Sequence, residues 1–127
     1  MPGAEVAEAR EAKRLVDEAW QDTRRWKENF ARAQALLESA LKAQPDDTLL
    51  LTCYGTVLSD CGFHEAAIAA LKRAVQLGAA DRNVYFNLGV ALMNSAARRG
   101  AMKYFNRAAG LEVRPDTWEA YFDPQGH

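Results

Sequence analysis

The cysteine and histidine side chains are the residues of this chain best suited to act as nucleophiles, metal ligands or disulfide partners. Only Cys53, Cys61, His64 and His127 are present. The two cysteines fall in one predicted helix, where their positions are about 12 Å apart along the axis. A disulfide requires Cα atoms within roughly 7 Å, and no Cys or His pair has the spacing of a metal site. We therefore interpret both cysteines as small, buried, reduced side chains.

The sequence carries no recognisable catalytic motif. It has no nucleophile with a histidine base at plausible reach, no glycine-rich phosphate loop and no H-E-x-x-H motif. The acidic pair Asp46 and Asp47 is explained by helix capping, and His64 by packing between helices rather than by a ligand or proton-transfer role. We expect no enzyme activity, no metal and no cofactor.

Length and composition predict a single all-α domain. The chain has 127 residues, of which 49% are hydrophobic and 26% charged, with a net charge of -1. Apolar residues follow three-and-four spacing, as in Leu36, Leu37, Ala40 and Leu41, and no stretch alternates as a strand would. The near-zero charge gives no overall attraction to nucleic acid or acidic lipid. The first residues lack a secretory signal pattern, so we expect a cytoplasmic protein with no membrane segment.

Residue types recur at an interval of 34 residues, which indicates an internal repeat. Gly55 recurs as Gly89, and Ala67 as Ala101. Other recurring pairs are Tyr54 and Leu88, Leu58 and Leu92, Leu71 and Phe105, Ala74 and Ala108, and Leu77 and Leu111. Small residues let two helices approach within a unit that cannot bury its apolar face alone. We expect Gly55 and Gly89 in the first helix of a pair, with Leu71 and Phe105 filling the space beside them.

The repeat resembles the tetratricopeptide repeat family. Its helix-turn-helix signature is matched by Leu51, Tyr54, Gly55, Leu58, Gly62, Ala67, Ile68, Leu71, Ala74 and Leu77, and again by Tyr85, Leu88, Gly89, Leu92, Ala101, Phe105, Ala108 and Leu111. An earlier copy matches in its second helix, with Phe30, Ala33, Leu37, Ala40, Leu41 and Pro45, whereas Trp20 and Gln21 stand where Leu-Gly is usual. The resemblance covers about residues 14–115 and implies a right-handed superhelix of stacked antiparallel helix pairs, a TPR-like α-solenoid.

The resemblance also divides the chain. It implies three repeats, 14–47, 48–81 and 82–115, preceded by an extension of the first helix at 1–13 and followed by a short aromatic capping turn or tail at 116–127. Local chemistry predicts a first helix from about Glu5 to Lys27, a second capped by Asn29 and ending near Ala43, and a third beginning at Asp47 or Thr48 and ending near Cys61. Further helices are predicted at about 64–77, 82–95 with Asp81 as its cap, and 98–110.

The tail has its own pattern. Asp116 and Glu119 resemble a capping box, and Trp118, Tyr121 and Phe122 share one face of a short helical turn. So short a helix does not persist alone in water. We expect it to cover the open edge of the last repeat, with insertion into a neighbouring molecule or disorder as alternatives.

The resemblance implies a binding groove on the concave face, which the first helix of each pair lines. The positions expected there are Leu15, Glu18, Asp22 and Arg25, then Leu49, Thr52, Cys53 and Thr56, then Phe86, Asn87, Val90 and Met93. Phe86, Val90 and Met93 would form a stripe suited to an apolar side chain of a bound peptide. The alternative is that they pack against the docked tail or a following helix.

Two partner classes are disfavoured. Family members that hold the acidic C-terminus of heat-shock chaperones use a clamp of lysine, arginine and asparagine, whereas Glu18 and Asp22 here would repel a carboxylate. Arg98, Arg99, Lys103 and Arg107 make a basic stripe on the last long helix, but without interleaved aromatic rings we interpret it as a solvated surface rather than a nucleic-acid site.

The sequence therefore predicts a protein-protein interaction adaptor, or a small chaperone, that binds a peptide or partner segment in the groove of three repeats. The alternative is a self-assembling structural module joined through the first helix or the aromatic tail, which would make the protein a homo-oligomer. The excess of alanine, and of arginine over lysine, points to a GC-rich bacterial genome.

Overall fold

A computed structural model describes residues 2–121 of the chain, with side chains from residue 7 onward. This part of the chain contains six α-helices, one short 3-10 helix and no strand, so the predicted all-α class is confirmed. The helices are α1 (Pro2–Gln21), the 3-10 helix (Thr23–Arg25), α2 (Trp26–Ala43), α3 (Thr48–Asp60), α4 (His64–Gln76), α5 (Arg82–Asn94) and α6 (Ala101–Ala109).

Aspartate side chains cap the N-termini of α3 and α5. The Asp47 carboxylate accepts from the backbone N–H of Leu50 at 2.9 Å, and Asp81 accepts from Val84 at 3.1 Å. Each bond satisfies an orphan donor of the first turn. The predicted caps of α3 and α5 are confirmed, and both helices begin where local chemistry placed them.

The predicted boundary between the first two helices is wrong. α1 ends at Gln21 rather than near Lys27, and Asp22 caps the 3-10 helix by accepting from the Arg24 N–H at 3.1 Å. Asn29 lies inside α2, where its side chain is buried and donates to the Leu15 carbonyl at 3.0 Å. Asn29 therefore joins α2 to α1 instead of starting a helix.

The helices form three hairpins in an open row. α1 pairs with α2, α3 with α4 and α5 with α6, while α2 also packs on α3 and α4 on α5. The first helices touch in sequence, α1 with α3 and α3 with α5. Among the described residues, no direct packing joins α1 to α5 or α6, so the row does not close into a bundle.

Helix α3 is the shared centre of the core and is buried on nearly all sides. Leu49 and Val57 belong to a cluster with α1 and α2, whereas Leu51 and Leu58 belong to a cluster with α4, α5 and α6. A helix that is apolar around its circumference is stable only when elements cover every side. α3 is therefore covered by two hairpins and, as shown below, by the tail.

Glycines permit close contact within the second and third hairpins. A Cβ on Gly55 would lie 2.6 Å from Leu71 Cγ, and one on Gly89 would lie 2.8 Å from Phe105 Cε1. The predicted approach of Gly55 to Leu71 and of Gly89 to Phe105 is therefore confirmed, and the sequence interval corresponds to an equivalent contact in two hairpins.

We expect Gly55→Ala to lower the free energy of unfolding by about 1 kcal/mol, because about 2 kcal/mol of overpacking outweighs about 1 kcal/mol of improved helix propensity. The clash involves the branch atom of Leu71, which is 0% exposed and cannot swing away. Urea unfolding followed by circular dichroism measures the change. Gly110→Ala is the matched control, since nothing lies within 4 Å of its Cβ position; equal stability of the two variants would contradict the close approach.

Helix α6 is shorter than predicted. It begins at Ala101, so Arg98 and Arg99 lie in the preceding turn and do not extend the helical basic stripe. Lys103 lies over the Tyr104 ring, at 5.1 Å from its centroid, and Arg107 lies over Tyr85 at 5.5 Å. The two helical cations are thus close to aromatic rings of their own hairpin.

Within residues 2–121, no helix combines the length and the apolar character needed to span a lipid bilayer.

Candidate functional site

The C-terminal tail, residues 111–121, lies along the surface formed by α1, α3 and α5, which we call the first-helix face. Lys13 Nζ of α1 donates to the Pro115 carbonyl at 3.1 Å, and Cys53 Sγ of α3 is 3.4 Å from the Asp116 carbonyl. Asn87 Nδ2 of α5 donates to the Trp118 carbonyl at 2.7 Å. One segment therefore crosses the first helices of all three hairpins.

The short helix predicted for the tail is absent from the part of it that the structure describes. After a turn at residues 115–116, residues 117–121 are not helical. The Thr117 N–H donates to the Arg114 carbonyl at 3.2 Å. Backbone groups of Trp118, Ala120 and Tyr121 bond to side chains of the first-helix face. The tail also does not simply cover the last hairpin, because it contacts Lys13 and Cys53 of the other two.

Three asparagines of α5 bind the backbone of the tail. Asn83 Oδ1 accepts from the Arg114 N–H at 3.1 Å, and Asn94 Nδ2 donates to the Tyr121 carbonyl at 3.0 Å. Between them, Asn87 binds two tail residues. Positions 83, 87 and 94 are four and seven residues apart, which places them on one side of the helix.

Asn87 is the central contact and is 0% exposed. Its Oδ1 accepts from the Ala120 N–H at 2.8 Å. Its Nδ2 donates to Thr56 Oγ1 at 2.8 Å, besides the Trp118 carbonyl. An amide side chain that binds a backbone N–H and a backbone C=O of the same segment recognises the backbone of that segment and not its side chains.

Asp60, the last residue of α3, anchors the end of the tail. One carboxylate oxygen accepts from the Trp118 indole N–H at 3.1 Å and the other from the Tyr121 backbone N–H at 2.7 Å. Burial raises the pKa of the Asp60 carboxyl to about 6, although the hydrogen bonds from Tyr121 and Trp118 act in the opposite direction. The charged form is thus costly and is held in place by donors from the tail.

No protein-family model, curated protein or solved structure matches the chain. Its function is therefore inferred from the contacts of the first-helix face.

The raised pKa predicts an unusual pH dependence for Asp60. Its folded pKa of about 6 lies above the unfolded value of about 3.9, so the folded protein takes up a proton as the pH falls between them. This contribution stabilises the fold as the pH falls through the window and is lost as the pH rises. Relative to the Asp60→Asn chain, the free energy of unfolding should rise by about 2 kcal/mol from about pH 7.5 to 4.5.

Urea unfolding at the two pH values measures this difference. His64 and Cys61 line the same crevice of about 190 Å³, so both chains should carry His64→Gln to remove any imidazole charge. Burial raises the pKa of the Cys61 thiol to about 11, with the Asp60 charge acting in the same direction, so that thiol stays neutral throughout. A constant difference, or one of opposite sign, would contradict the prediction.

The groove positions predicted in the first hairpin contact other residues of that hairpin. Leu15 is buried in the first core cluster. Glu18 accepts from Arg25 at 2.6 Å and from Asn29 at 3.3 Å, and these bonds, Asn29 first, lower the pKa of its carboxyl. Asp22 is the cap of the 3-10 helix. These side chains hold α1 to α2.

The positions predicted in the second hairpin reach the tail at two residues. Cys53 contacts Asp116 directly, and Thr56 accepts from Asn87. Leu49 is buried in the core, and Thr52 donates to the Thr48 carbonyl at 2.7 Å.

In the third hairpin, Asn87 is the predicted position that binds the tail. The ring of Phe86 packs on Phe105 of α6, with centroids 5.4 Å apart. Val90 is 1% exposed, and Met93 packs against the second core cluster. Val90 is therefore buried, and Phe86 and Met93 are packed and partly buried.

The aromatic residues of the tail lie at its anchored end. Trp118 packs against the first core cluster, in addition to its bond to Asp60. The Tyr121 ring lies 5.8 Å from that of Trp20, with an angle of 33° between the planes. Phe122, which was predicted to act with them, lies outside the described residues.

Several contact residues were not among the predicted groove positions, chiefly Asp60, Asn94, Lys13 and Arg10. Two signals in the sequence point to Asp60 and to the asparagines of α5, and none points to Lys13 or Arg10. Asp60 ends a helix, where the dipole disfavours a negative charge. Asparagine is a poor helix former, yet α5 carries it at positions 83, 87 and 94. Residues that oppose their local structure in this way are candidates for a functional role.

Burial keeps the two cysteine thiols protonated. Cys53 and Cys61 are free thiols, and burial raises the pKa of Cys53 to about 12, so it is not a reactive thiolate. Across residues 2–121, no three His, Cys, Asp or Glu side chains come together as metal ligands.

Proposed function

We propose that the protein is an adaptor of the tetratricopeptide type, or a small chaperone of that architecture, which binds an extended segment of another protein on its first-helix face. The open row of three hairpins and the equivalent contacts of Gly55 and Gly89 support the solenoid architecture. In this reading the row follows a right-handed superhelix, and the first-helix face is its concave side.

One observation carries the proposal: the first-helix face already holds a non-helical segment by its backbone groups. Asn83, Asn87 and Asn94 pair with backbone groups of that segment. Every extended segment offers the same groups, so the site suits segments of other proteins as well. The tail acts as an internal occupant that a partner displaces.

Peptide selection tests the proposal. A chain carrying Trp118→Ala loses the indole anchor, so its tail should leave the face more often. We expect this chain to retain binders from a displayed library of random peptides of about 12 residues. Adding Asn87→Ala should weaken those binders at least about tenfold, because each loses hydrogen bonds to a buried amide.

Asn106→Ala, at an exposed position of α6, is the matched control and should leave the binders unaffected. Circular dichroism checks that each variant remains helical. The proposal would be overturned by a library that yields no binder, or by binders that ignore Asn87→Ala.

Self-assembly is the second candidate. The tail contacts helices of all three hairpins, so the same contacts can form between two copies that exchange tails. Light scattering over a range of concentrations separates the two functions, since a constant monomer mass contradicts self-assembly.

A further inference from the structure

We infer that the first-helix face selects extended partner segments with the pattern acidic–small–Trp–x–small–aromatic, the pattern that residues 116–121 of the tail carry. This inference rests on the proposed function and names the chemistry of the partner segment. It follows from which tail side chains contact the face and which do not.

The tail residues divide into two groups. Asp116, Trp118 and Tyr121 direct their side chains to groups on the face, and two small residues, Thr117 and Ala120, are only 4% and 6% exposed. Val113 is 62% exposed, and Glu119 also faces solvent. The contacting or buried residues define the pattern, and Tyr121 belongs to it through its ring contact with Trp20 although it is 52% exposed. The exposed positions without such a contact are free to vary.

The indole position is the most selective. Within the described chain, both hydrogen bonds to the Asp60 carboxylate come from the tail, one from the Trp118 indole and one from the Tyr121 backbone. Any segment supplies the backbone N–H, but only a side chain with a donor at the Trp118 position supplies the other. A phenylalanine there would fill the space and leave one oxygen of a largely buried carboxylate without its donor.

The two flanking positions add weaker preferences. Arg10 Nε lies 3.0 Å from Asp116 Oδ1, and Arg10 is well exposed, so an acidic residue is favoured only modestly. The Tyr121 ring packs on Trp20, which favours an aromatic residue. Ala120 lies between Asp116 and Tyr121 in the sequence. Its side chain is buried, so only a small side chain fits at this position.

The occupant that we propose is a segment of a different protein. The tail of the same chain carries the same pattern and competes with the partner. The apparent association constant for the partner is therefore the intrinsic one multiplied by the fraction of molecules whose tail is undocked. A partner with this pattern can replace each contact of the tail, whereas one without it leaves Asp60 short of a donor.

The experiment uses full-length chains and synthetic peptides with the sequence of residues 111–122. The receptor is the Trp118→Ala chain, with Ala120→Pro as a second loosened receptor in case the first is poorly folded. Ala120→Pro removes the N–H that Asn87 binds, without altering the face. Isothermal titration gives the dissociation constants.

We expect the unmodified peptide to bind the loosened chain at least about tenfold more tightly than it binds the wild-type chain. A peptide with Trp118→Phe should bind the loosened chain at least about tenfold more weakly, since it lacks the charge-assisted bond. A peptide with Asp116→Ala should lose about two- to fivefold. The Val113→Ala peptide is the matched control and should bind unchanged.

Asp60→Ala in the receptor assigns the preference to its carboxylate. On that chain the advantage of the unmodified peptide over the Trp118→Phe peptide should shrink to about threefold or less, the part that the larger indole keeps through packing on the first core cluster. A preference for tryptophan that is undiminished by Asp60→Ala would overturn the role of Asp60.

The failure of this inference can be told from failure of the proposed function. If the unmodified peptide and the Trp118→Phe peptide bind the loosened chain equally, the pattern is overturned while extended-segment binding stands. If the unmodified peptide does not bind but library peptides do, the same conclusion holds. If neither binds, both are overturned. If the protein alone has twice the monomer mass in light scattering, the occupant of the face is a second copy of this chain and the inference of a partner protein is overturned.

Discussion

Replacing Asn87 with alanine releases the tail. The substitution removes three hydrogen bonds and leaves the Ala120 N–H, the Trp118 carbonyl and the Thr56 hydroxyl without the buried amide that binds them. Each unpaired buried group costs about 1–3 kcal/mol. The tail regains water for its two groups by leaving the face, so we expect docking to weaken by about 3 kcal/mol, which is on the order of a 100-fold change in the docking equilibrium.

Amide hydrogen exchange of Ala120 measures this effect by NMR. In the wild-type chain the amide is buried and bound to Asn87 Oδ1, and its protection should fall by the same factor in the variant. Exposed Asn106→Ala should leave the protection intact. Unchanged exchange at Ala120 in the Asn87→Ala chain would show that Asn87 does not hold the tail.

The largest loss of stability is expected for Phe30→Ala, at about 4 kcal/mol. Phe30 is 1% exposed, its ring centroid lies 4.3 Å from that of Trp26, and it meets Trp20 edge-on at 6.3 Å. Truncation removes buried apolar surface and opens a cavity between α1 and α2 that small neighbours such as Ala33 cannot fill. Urea unfolding followed by circular dichroism measures the loss.

Phe63→Ala is the control for this prediction. Phe63 precedes α4 and is 55% exposed, so its truncation should change the free energy of unfolding by no more than about 0.5 kcal/mol. Similar effects of the two substitutions would show that the aromatic cluster of the first hairpin is not a core.

Local chemistry was sufficient to predict much of the helical framework. Asp47 and Asp81 cap the helices that follow them, and Gly62 and Gly78 end α3 and α4 with φ values of 87° and 104°. These signals act over a few residues and need no tertiary information. The interval between Gly55 and Gly89 was equally readable, because each glycine meets a large residue of its own hairpin.

The predicted start of α2 failed because two local signals competed. Asn29 has the side chain of a helix cap, but the break in the chain occurs at Asp22, which caps the 3-10 helix. Asn29 then finds partners on α1, fourteen residues earlier in the case of the Leu15 carbonyl. A contact between helices cannot be read from the residues that flank the asparagine.

The prediction of a helical turn in the tail was wrong for a related reason. Asp116 and Glu119 have the spacing of a capping box, which favours a helix, yet the partners of residues 118–121 lie far away in the sequence. Ala120 bonds to Asn87, and Tyr121 bonds to Asp60, which are 33 and 61 residues earlier. Neither distance leaves a local pattern, so tertiary contacts determine the conformation here.

The crossing of the tail also affects how the chain unfolds. In a row of repeats each unit interacts only with its neighbours, and the end units fray independently. Here Arg10 of the first hairpin binds Asp116, while Asn87 of the third binds Trp118 and Ala120. The tail thus couples two end units that do not pack on each other, and it should raise the cooperativity of unfolding. A partner that displaces the tail without replacing both contacts would let the first and third hairpins unfold more independently of each other.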